Sequence, residues 1–231
     1  MTPRIAGLTG LDARAFDGAI LAGLHDAAQP TVYRREECAT FFRTSERWGG
    51  LSNMAGGFPI LVNGVAILTS EAIYQACRFP HLPEVQREII AQASPIAAKM
   101  KSRAHQKDSR TDFHELRIPI MWWSLRAKLA CNSAAFGALL LETEGRTIVE
   151  NSSRDAYWGA LSDKTDPDIL VGRNVLGRML VLLRQLVEER GAQALQAVPP
   201  LLIPNFLLYG EQIRPLFCTT VKGVGCESSS S

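Results

Sequence analysis

The residues best suited to chemistry are a few carboxylates and amines set among small polar groups and aromatics. Residues 41–79, FFRTSERWGGLSNMAGGFPILVNGVAILTSEAIYQACRF, interleave Arg43, Ser45, Ser52, Asn53, Glu71, Gln75 and Arg78 with apolar and glycine-rich segments. That is a denser polar content than a plain core requires. Within it Thr69-Ser70-Glu71 is a capping signal that opens a helix carrying Tyr74, Gln75, Arg78 and Phe79. Glu71 then lies in the first turn, where backbone amides favour negative charge. Two readings stand for it, a cap completed or a carboxylate held for catalysis.

A second carboxylate, Asp155, stands in the loop NSSRDAYWG (151–159) with Tyr157, Trp158 and Gly159. Its aromatics are either core pegs or a stacking wall for a base or sugar. Lys128 adjoins Leu129 on an apolar helix face. It either snorkels its amine to water or, with its pKa lowered by burial, is a nucleophile of the kind a Schiff base needs. Lys99, Lys101, Arg103, His105, Lys107 and Arg110 form a basic run interrupted only by Asp108, which reads as a solvated face or as a seat for phosphate. Asn174, at the start of a late helix, caps it or positions a ligand phosphate.

These residues must be placed by a mixed set of elements. Phe16, Ile20, Leu21 and Leu24 recur at helical spacing, so a helix over 11–28 precedes the core and ends near Pro30. Residues 31–34 and 38–43 read as extended, with turns around Ser52 and Asn53. Asn63-Gly64 joins 60–62 to 65–68 as a hairpin. Helices follow from Ser70 to about Phe79, over 84–93, and from Ser94-Pro95 onward. The longest helical region, 118–141, has a break signal at Asn132-Ser133. A strand over 147–150, a loop over 162–171 and an amphipathic helix over 172–190 complete the order. After Gly191, Pro199-Pro200, Pro204 and Pro215 punctuate an apolar extension that wraps the core, and the final ESSSS reads as disordered.

Composition restricts the function classes. A chain of 231 residues with 46% hydrophobic and 21% charged residues is ordinary globular material that needs only one domain. A net charge of +2 is too small for a polybasic binder, so any anionic partner is held by a local patch. The five cysteines never fall as CxxC, and the four histidines show no HExxH or HxH spacing, so neither a disulfide framework nor a metal site is indicated. With no leader-like N-terminus and no long apolar run, the expectation is a soluble, cytoplasmic protein with no membrane partner.

FFRTSERWGGLSNMAGGFPI, LTSEAIYQACRF, REIIAQASPIAAKMKSR, LRAKL, ETEGRTIVENSSRDAYWG and GRNVLGRMLVLLRQL follow one another in an order and spacing that resembles the NADAR, or YbiA-like, family over about residues 40–190. The resemblance implies a compact, mainly helical α+β fold, with residues 1–39 as an N-terminal helical extension and 191–231 as a proline-rich C-terminal one. It implies N-glycosidase chemistry on ribosyl groups joined to an amine nitrogen. In the family that chemistry is directed at phosphoribosyl-amino intermediates of riboflavin synthesis or at ADP-ribose on guanine in DNA. The latter members act as antitoxins to DNA ADP-ribosyltransferase toxins.

Carried over by position, the resemblance makes Glu71, Lys128 and Asp155 catalytic. The family's phosphate and sugar contacts map near Arg43, Ser52, Asn53, Gln75, Arg103, Trp158 and Asn174; Tyr74, Phe113 or Trp158 is expected to stack on the base, and Arg78, Tyr157 and Gly159 complete the expected substrate-binding set. Related sequences carry Lys where this chain has Arg78, so the amine is assigned to Lys128 with Lys99 in reserve; they carry Trp where it has Phe113, which keeps a stacking face and loses an indole donor. No metal or cofactor is called for. The expected substrate is ADP-ribosylated guanine in DNA, with riboflavin intermediates, or ADP-ribose bound without turnover, as alternatives. The expected macromolecular partner is a DNA ADP-ribosyltransferase toxin encoded nearby.

Overall fold

The computed structural model describes Leu24 and residues 29–191 and 197–217. Apart from Leu24, which is helical and buried, the helix expected over 11–28 lies outside these residues, as does the C-terminal serine tail.

A five-stranded mixed sheet organises the fold. Its strands are β1 (Thr31–Arg34), β2 (Cys38–Phe41), β5 (Thr147–Ser152), β6 (Ala160–Ser162) and β7 (Ile169–Gly172), in the order β1-β7-β6-β5-β2. β2 and β6 run parallel to β5, and β7 runs antiparallel to β1 and β6. The loop expected over 162–171 is therefore shorter than its sequence suggests, because it takes in the last residue of β6 and most of β7. β7 spans only four residues next to a turn rich in Asp and Pro, and its strand character comes from pairing on both sides, with nearby β6 and with β1, which is distant in sequence. β1 belongs to this sheet, although it falls in the segment read as an N-terminal extension.

β3 (Ile60–Val62) and β4 (Val65–Ile67) form the separate hairpin that Asn63-Gly64 predicts. Both turn residues take positive φ, 49° and 80°, as tight hairpin turns demand.

Six α-helices are described, α1 (Ser70–Ala76), α2 (Pro83–Ile90), α3 (Pro95–Ala104), α4 (Phe113–Cys131), α5 (Ser133–Leu141) and α6 (Val175–Arg190). Thr69 is the N-cap of α1, its hydroxyl accepting from the Ala72 amide, and the helix stops at Ala76, short of Phe79. Arg78 and Phe79 thus sit in the turn that follows. Asn132 separates α4 from α5 at the expected break.

The two faces of the sheet are covered unequally. Ala39, Phe41 and Ile148 join the main core with the apolar sides of α1, α4 and α6, whereas Tyr33, Cys38, Val149, Ala160 and Leu170 make a small cluster on the other face. α6 buries Val175, Leu176, Met179, Leu180, Leu183 and Leu186, each worth about 1.5–3 kcal/mol. Because side chains alternate along a strand, Glu150 projects on the face of Ile148, towards the helices.

Residues 197–217 contribute four two-residue strands, β8 (Ala197–Val198), β9 (Leu207–Leu208), β10 (Glu211–Gln212) and β11 (Leu216–Phe217). They lie on the helices. Trp123 Nε1 donates to Pro199 O (3.0 Å), and Gln86 joins Ala76 O to Leu207 O through its amide. The described architecture is α+β and mainly helical.

Candidate active site

Glu71 is buried at the start of α1 and held from three directions. Its backbone amide donates to Asn53 O (3.1 Å), Gln75 Nε2 donates to its Oε1 (2.9 Å), and Lys99 Nζ of α3 lies 3.8 Å from the same oxygen. Gln75 is fixed in turn by Ser102, whose hydroxyl donates to its Oε1 (2.6 Å). Lys99 is 52% exposed while Glu71 is 6%, so the ammonium reaches in from the solvent side of a carboxylate that water barely touches. Arg103 follows one turn after Lys99 on the same helix face and is exposed.

Two further carboxylates act on this centre. Glu150 leaves the end of β5, and its proton is retained up to about 7, first because burial disfavours its charge, then because Glu71 and Asp155 repel it, with Lys99 opposing. Its backbone N–H donates to Asn174 Oδ1 (3.1 Å) and its carbonyl lies against Gly159. A Cβ on Gly159 would stand 2.5 Å from that carbonyl, so only glycine lets the loop approach the strand this closely. Asp155 Oδ1 accepts from the amides of Tyr157 and Trp158, both at 2.9 Å, which folds the loop and leaves the other oxygen uncommitted to it.

An aromatic wall extends from the carboxylates. Tyr74 meets Phe113 (centroids 5.6 Å apart) and Trp158 (5.9 Å), and Trp158 meets Tyr157 (5.2 Å). Arginines pack on it: Arg78 over Phe113 at 4.4 Å, Arg117 over Tyr157 at 4.0 Å and Arg173 near Tyr157 at 5.6 Å. The buried Nε of Arg78 has no hydrogen-bond partner among the described residues, and its Nη1 reaches Gln75 Oε1 only at 3.3 Å. Burial first, then the Glu71 charge, pushes the Tyr74 hydroxyl strongly upward, so it stays protonated.

The remaining expected residues fall into other places. Lys128 is fully buried, with Nζ donating to Gly50 O (2.7 Å) and Ser52 O (3.0 Å) and sitting over the rings of Phe58 and Phe136. Burial lowers it to about 7. Its amine is therefore enclosed as a staple for the 49–53 turn, and the amine beside Glu71 is Lys99. Asn53 ties that turn to α1, its Oδ1 accepting from Ser70 Oγ (2.9 Å), and the Ser52 hydroxyl accepts from the Met54 amide. Asn174 is fully buried, with its side-chain amide spent on Ile148 O and on the Glu150 N–H of β5, so it aims Glu150. Arg43 is exposed beyond the end of β2.

The basic run is largely consumed by the protein itself. Lys101 and His105 lie near Glu88, and Arg110 grips Asp112 and Pro204 O. Only Lys99 of this run is paired with the acid centre. Sequence reasoning missed Glu150, because a lone acid ending a strand carries no local signal until the fold brings it to Glu71. The one available hint was strand alternation, which puts residues 148 and 150 on one face.

Fold and site together define a class, an α+β protein with clustered carboxylates and one ammonium at the foot of an aromatic wall. Residues 40–188 match the NADAR domain family, and the chain belongs to that family. The chain is 34% identical to E. coli YbiA, whose NMR structure matches it with a TM-score of 0.54 over 66% of this chain and 86% of that one. It is 30% identical over 156 residues to a riboflavin biosynthesis protein of Vibrio vulnificus, covering 67% of this chain and 40% of that protein. An N-glycosidase of Nostoc punctiforme is 27% identical over 147 residues, 63% of this chain and 89% of its own length. The chain spans less than half of the Vibrio protein.

Proposed function

We propose that the protein is an N-glycosidase that cleaves the bond between a ribosyl C1 and an amine nitrogen, and that its substrate is ADP-ribose attached to guanine in DNA. The observation that carries the reaction class is the convergence of Glu71, Glu150 and Asp155, with the Lys99 ammonium 3.8 Å from Glu71 Oε1. A departing nitrogen needs a proton, and Glu150 is the carboxyl kept protonated near neutrality. As the C1–N bond breaks, its electron pair stays on nitrogen together with the proton from Glu150. Glu71 and Asp155 offset the positive charge at C1. Water then adds to C1 and returns a proton to Glu150, leaving free amine and a C1 hydroxyl. General acid catalysis of this kind contributes roughly 10²–10⁴-fold, and the geometry follows the paired-acid logic of glycoside hydrolysis.

Lys99 opens a covalent variant. After passing a proton to Glu71, its amine adds to C1 of the ring-opened sugar and expels the base amine, which leaves with the proton of Glu150, and water hydrolyses the resulting imine to free the lysine and the C1 carbonyl.

The size of the wall favours the larger substrate. Four rings and three arginines line it, more than one pyrimidine and one phosphate need. The names of the riboflavin relatives favour a second reading, ribosylamino-pyrimidine phosphates as substrates. Incubating the protein with an ADP-ribosyl-guanosine oligonucleotide and, in parallel, with ribosylamino-pyrimidine phosphates decides between them by chromatography of the released sugar. No release from either substrate, or release unchanged by Glu71→Gln, refutes the reaction. Release from the oligonucleotide would make the protein an antitoxin candidate, and its restoring growth to cells expressing a DNA ADP-ribosyltransferase toxin would test that role.

A further inference from the structure

We propose that Arg117 and Arg173 form an anion subsite at the outer end of the aromatic wall, which takes a phosphate-ester group of the substrate while the ribosyl C1 lies at the carboxylates. The two come from separate elements, Arg117 from α4 and Arg173 from the residue pair that precedes α6, yet both guanidinium groups pack against the one Tyr157 ring, at 4.0 and 5.6 Å from its centroid. The backbone that carries the ring is fixed, since the Tyr157 amide donates to Asp155 Oδ1 (2.9 Å) and the Arg173 amide donates to Ala156 O (2.7 Å). Tyr157 also meets Trp158 edge-on, and Trp158 meets Tyr74 next to Glu71 along α1. The subsite is thus continuous with the acid centre.

Other arginines of the described residues show what structural service looks like. Arg110 holds Asp112 and Pro204 O, Arg178 holds Arg173 O and Thr31, and Arg184 holds Thr143, Arg146 O and Glu188. Arg117 and Arg173 have no carboxylate within ion-pair distance among the described residues. Two like charges brought to one half-buried ring repel each other. A ring face attracts each cation only modestly. An anion between or beside them removes the repulsion, and planar guanidinium forks match phosphate oxygens in pairs. Alternation of arginine with stacked aromatics is also the arrangement that holds single-stranded nucleic acid. The phosphate is therefore either the diphosphate of an ADP-ribosyl group or a phosphodiester of the strand that carries it.

This rests on the glycosidase reading for the position of C1, but its test is binding. Calorimetry would compare ADP-ribose, an unmodified single-stranded oligonucleotide and adenosine on the wild type, on Arg117→Gln/Arg173→Gln, and on Arg117→Lys/Arg173→Lys. The Gln pair is expected to weaken ADP-ribose or the oligonucleotide by roughly tenfold to a hundredfold, the scale of charge-assisted hydrogen bonds, and to leave adenosine within about twofold, since stacking on the wall needs no cation. The Lys pair, which keeps charge but loses the fork, should fall between, and unchanged thermal melting shows that the fold is intact. Loss confined to ADP-ribose assigns the subsite to the diphosphate. Loss confined to the oligonucleotide, with a salt slope lower by about 0.7 for each contact removed, assigns it to the strand. Wild-type binding of neither phosphate ligand, or equal binding of both by the wild type and the Gln pair, overturns the proposal. Arginine-dependent binding without any turnover would instead count against the glycosidase reading alone.

Discussion

Replacing Glu150 with Gln should make the protein more stable above neutral pH and leave it nearly unchanged in acid. The carboxyl has an ordinary value of 4.5 and is raised in the folded protein to about 7, chiefly by burial and then by Glu71 and Asp155. A group whose folded value lies above its unfolded one keeps its proton longer when folded. It therefore costs nothing well below 4.5, and its cost grows as pH rises to about 7 and is complete above that. The full span is worth about 3 kcal/mol by linkage. Because the Glu150 side chain is only half-buried, solvent screening reduces the expected gain of the Gln variant to about 1–2 kcal/mol at pH 8. For a chain of this size that is a rise in Tm of roughly 2–8 °C. At pH 5 most of the difference should be gone.

The same substitution should act in the opposite sense on catalysis. If Glu150 supplies the proton, kcat of the wild type declines as pH climbs through about 7, and the Gln variant loses roughly 10²–10⁴-fold together with that decline. Changing the neighbours tests the electrostatics separately. Glu71→Gln removes a repelling charge, so the Glu150 stability loss should be smaller and complete at a lower pH. Lys99→Met removes the opposing cation, so the loss should be larger and complete at a higher pH. Thermal melting across pH 5–9 reads all three variants. Equal Tm for Glu150→Gln and wild type at pH 8, or an equal gain at pH 5, would refute the buried-carboxyl argument. A Gln variant with undiminished turnover would refute its role as acid.

Lys128→Met should lower stability by about 1–3 kcal/mol, read by chemical denaturation, because the buried Gly50 and Ser52 carbonyls lose their donor. Reduction by borohydride during turnover should attach the sugar to the peptide holding Lys99 and leave Lys128 unlabelled, which peptide mass mapping detects, because only Lys99 combines solvent access with proximity to Glu71. Asn174→Ala should cost about 2–3 kcal/mol and reduce kcat more than it alters KM, since the side chain fixes β5 at Ile148 and Glu150. Gly159→Ala should destabilise by about 1–3 kcal/mol and depress activity, as the added methyl meets the Glu150 carbonyl.

What the sequence disclosed about this site depended on how local the cause was. Glu71 was legible because its helix start is written in adjacent residues, Thr69 accepting from Ala72 within one turn. The Asn63-Gly64 hairpin and the break at Asn132 were legible for the same reason. β7 was not, because a four-residue strand is stabilised by neighbours some 140 residues upstream and ten residues away along the sheet. Lys128 shows the limit most sharply. Its place beside an apolar stripe left snorkelling and burial both open, and the fold realises burial, which lowers its pKa. Whether a buried amine attacks a substrate or holds a turn depends, however, on what surrounds it, and here two carbonyls and two rings from residues 50–58 and 136 enclose it. Lys128 shapes the Ser52-Asn53 turn, Asn53 accepts from the Glu71 amide, and the amine thus supports the acid centre from behind while Lys99 faces it from solvent. Glu150 reaches that centre only through the parallel pairing of β5 with β2 and the grip of Asn174. On the proposed mechanism, the chemistry that the family resemblance assigns to Lys128 is divided between a lysine that positions the acids and one that touches Glu71, and removing Lys128 should loosen the site without removing a reacting group.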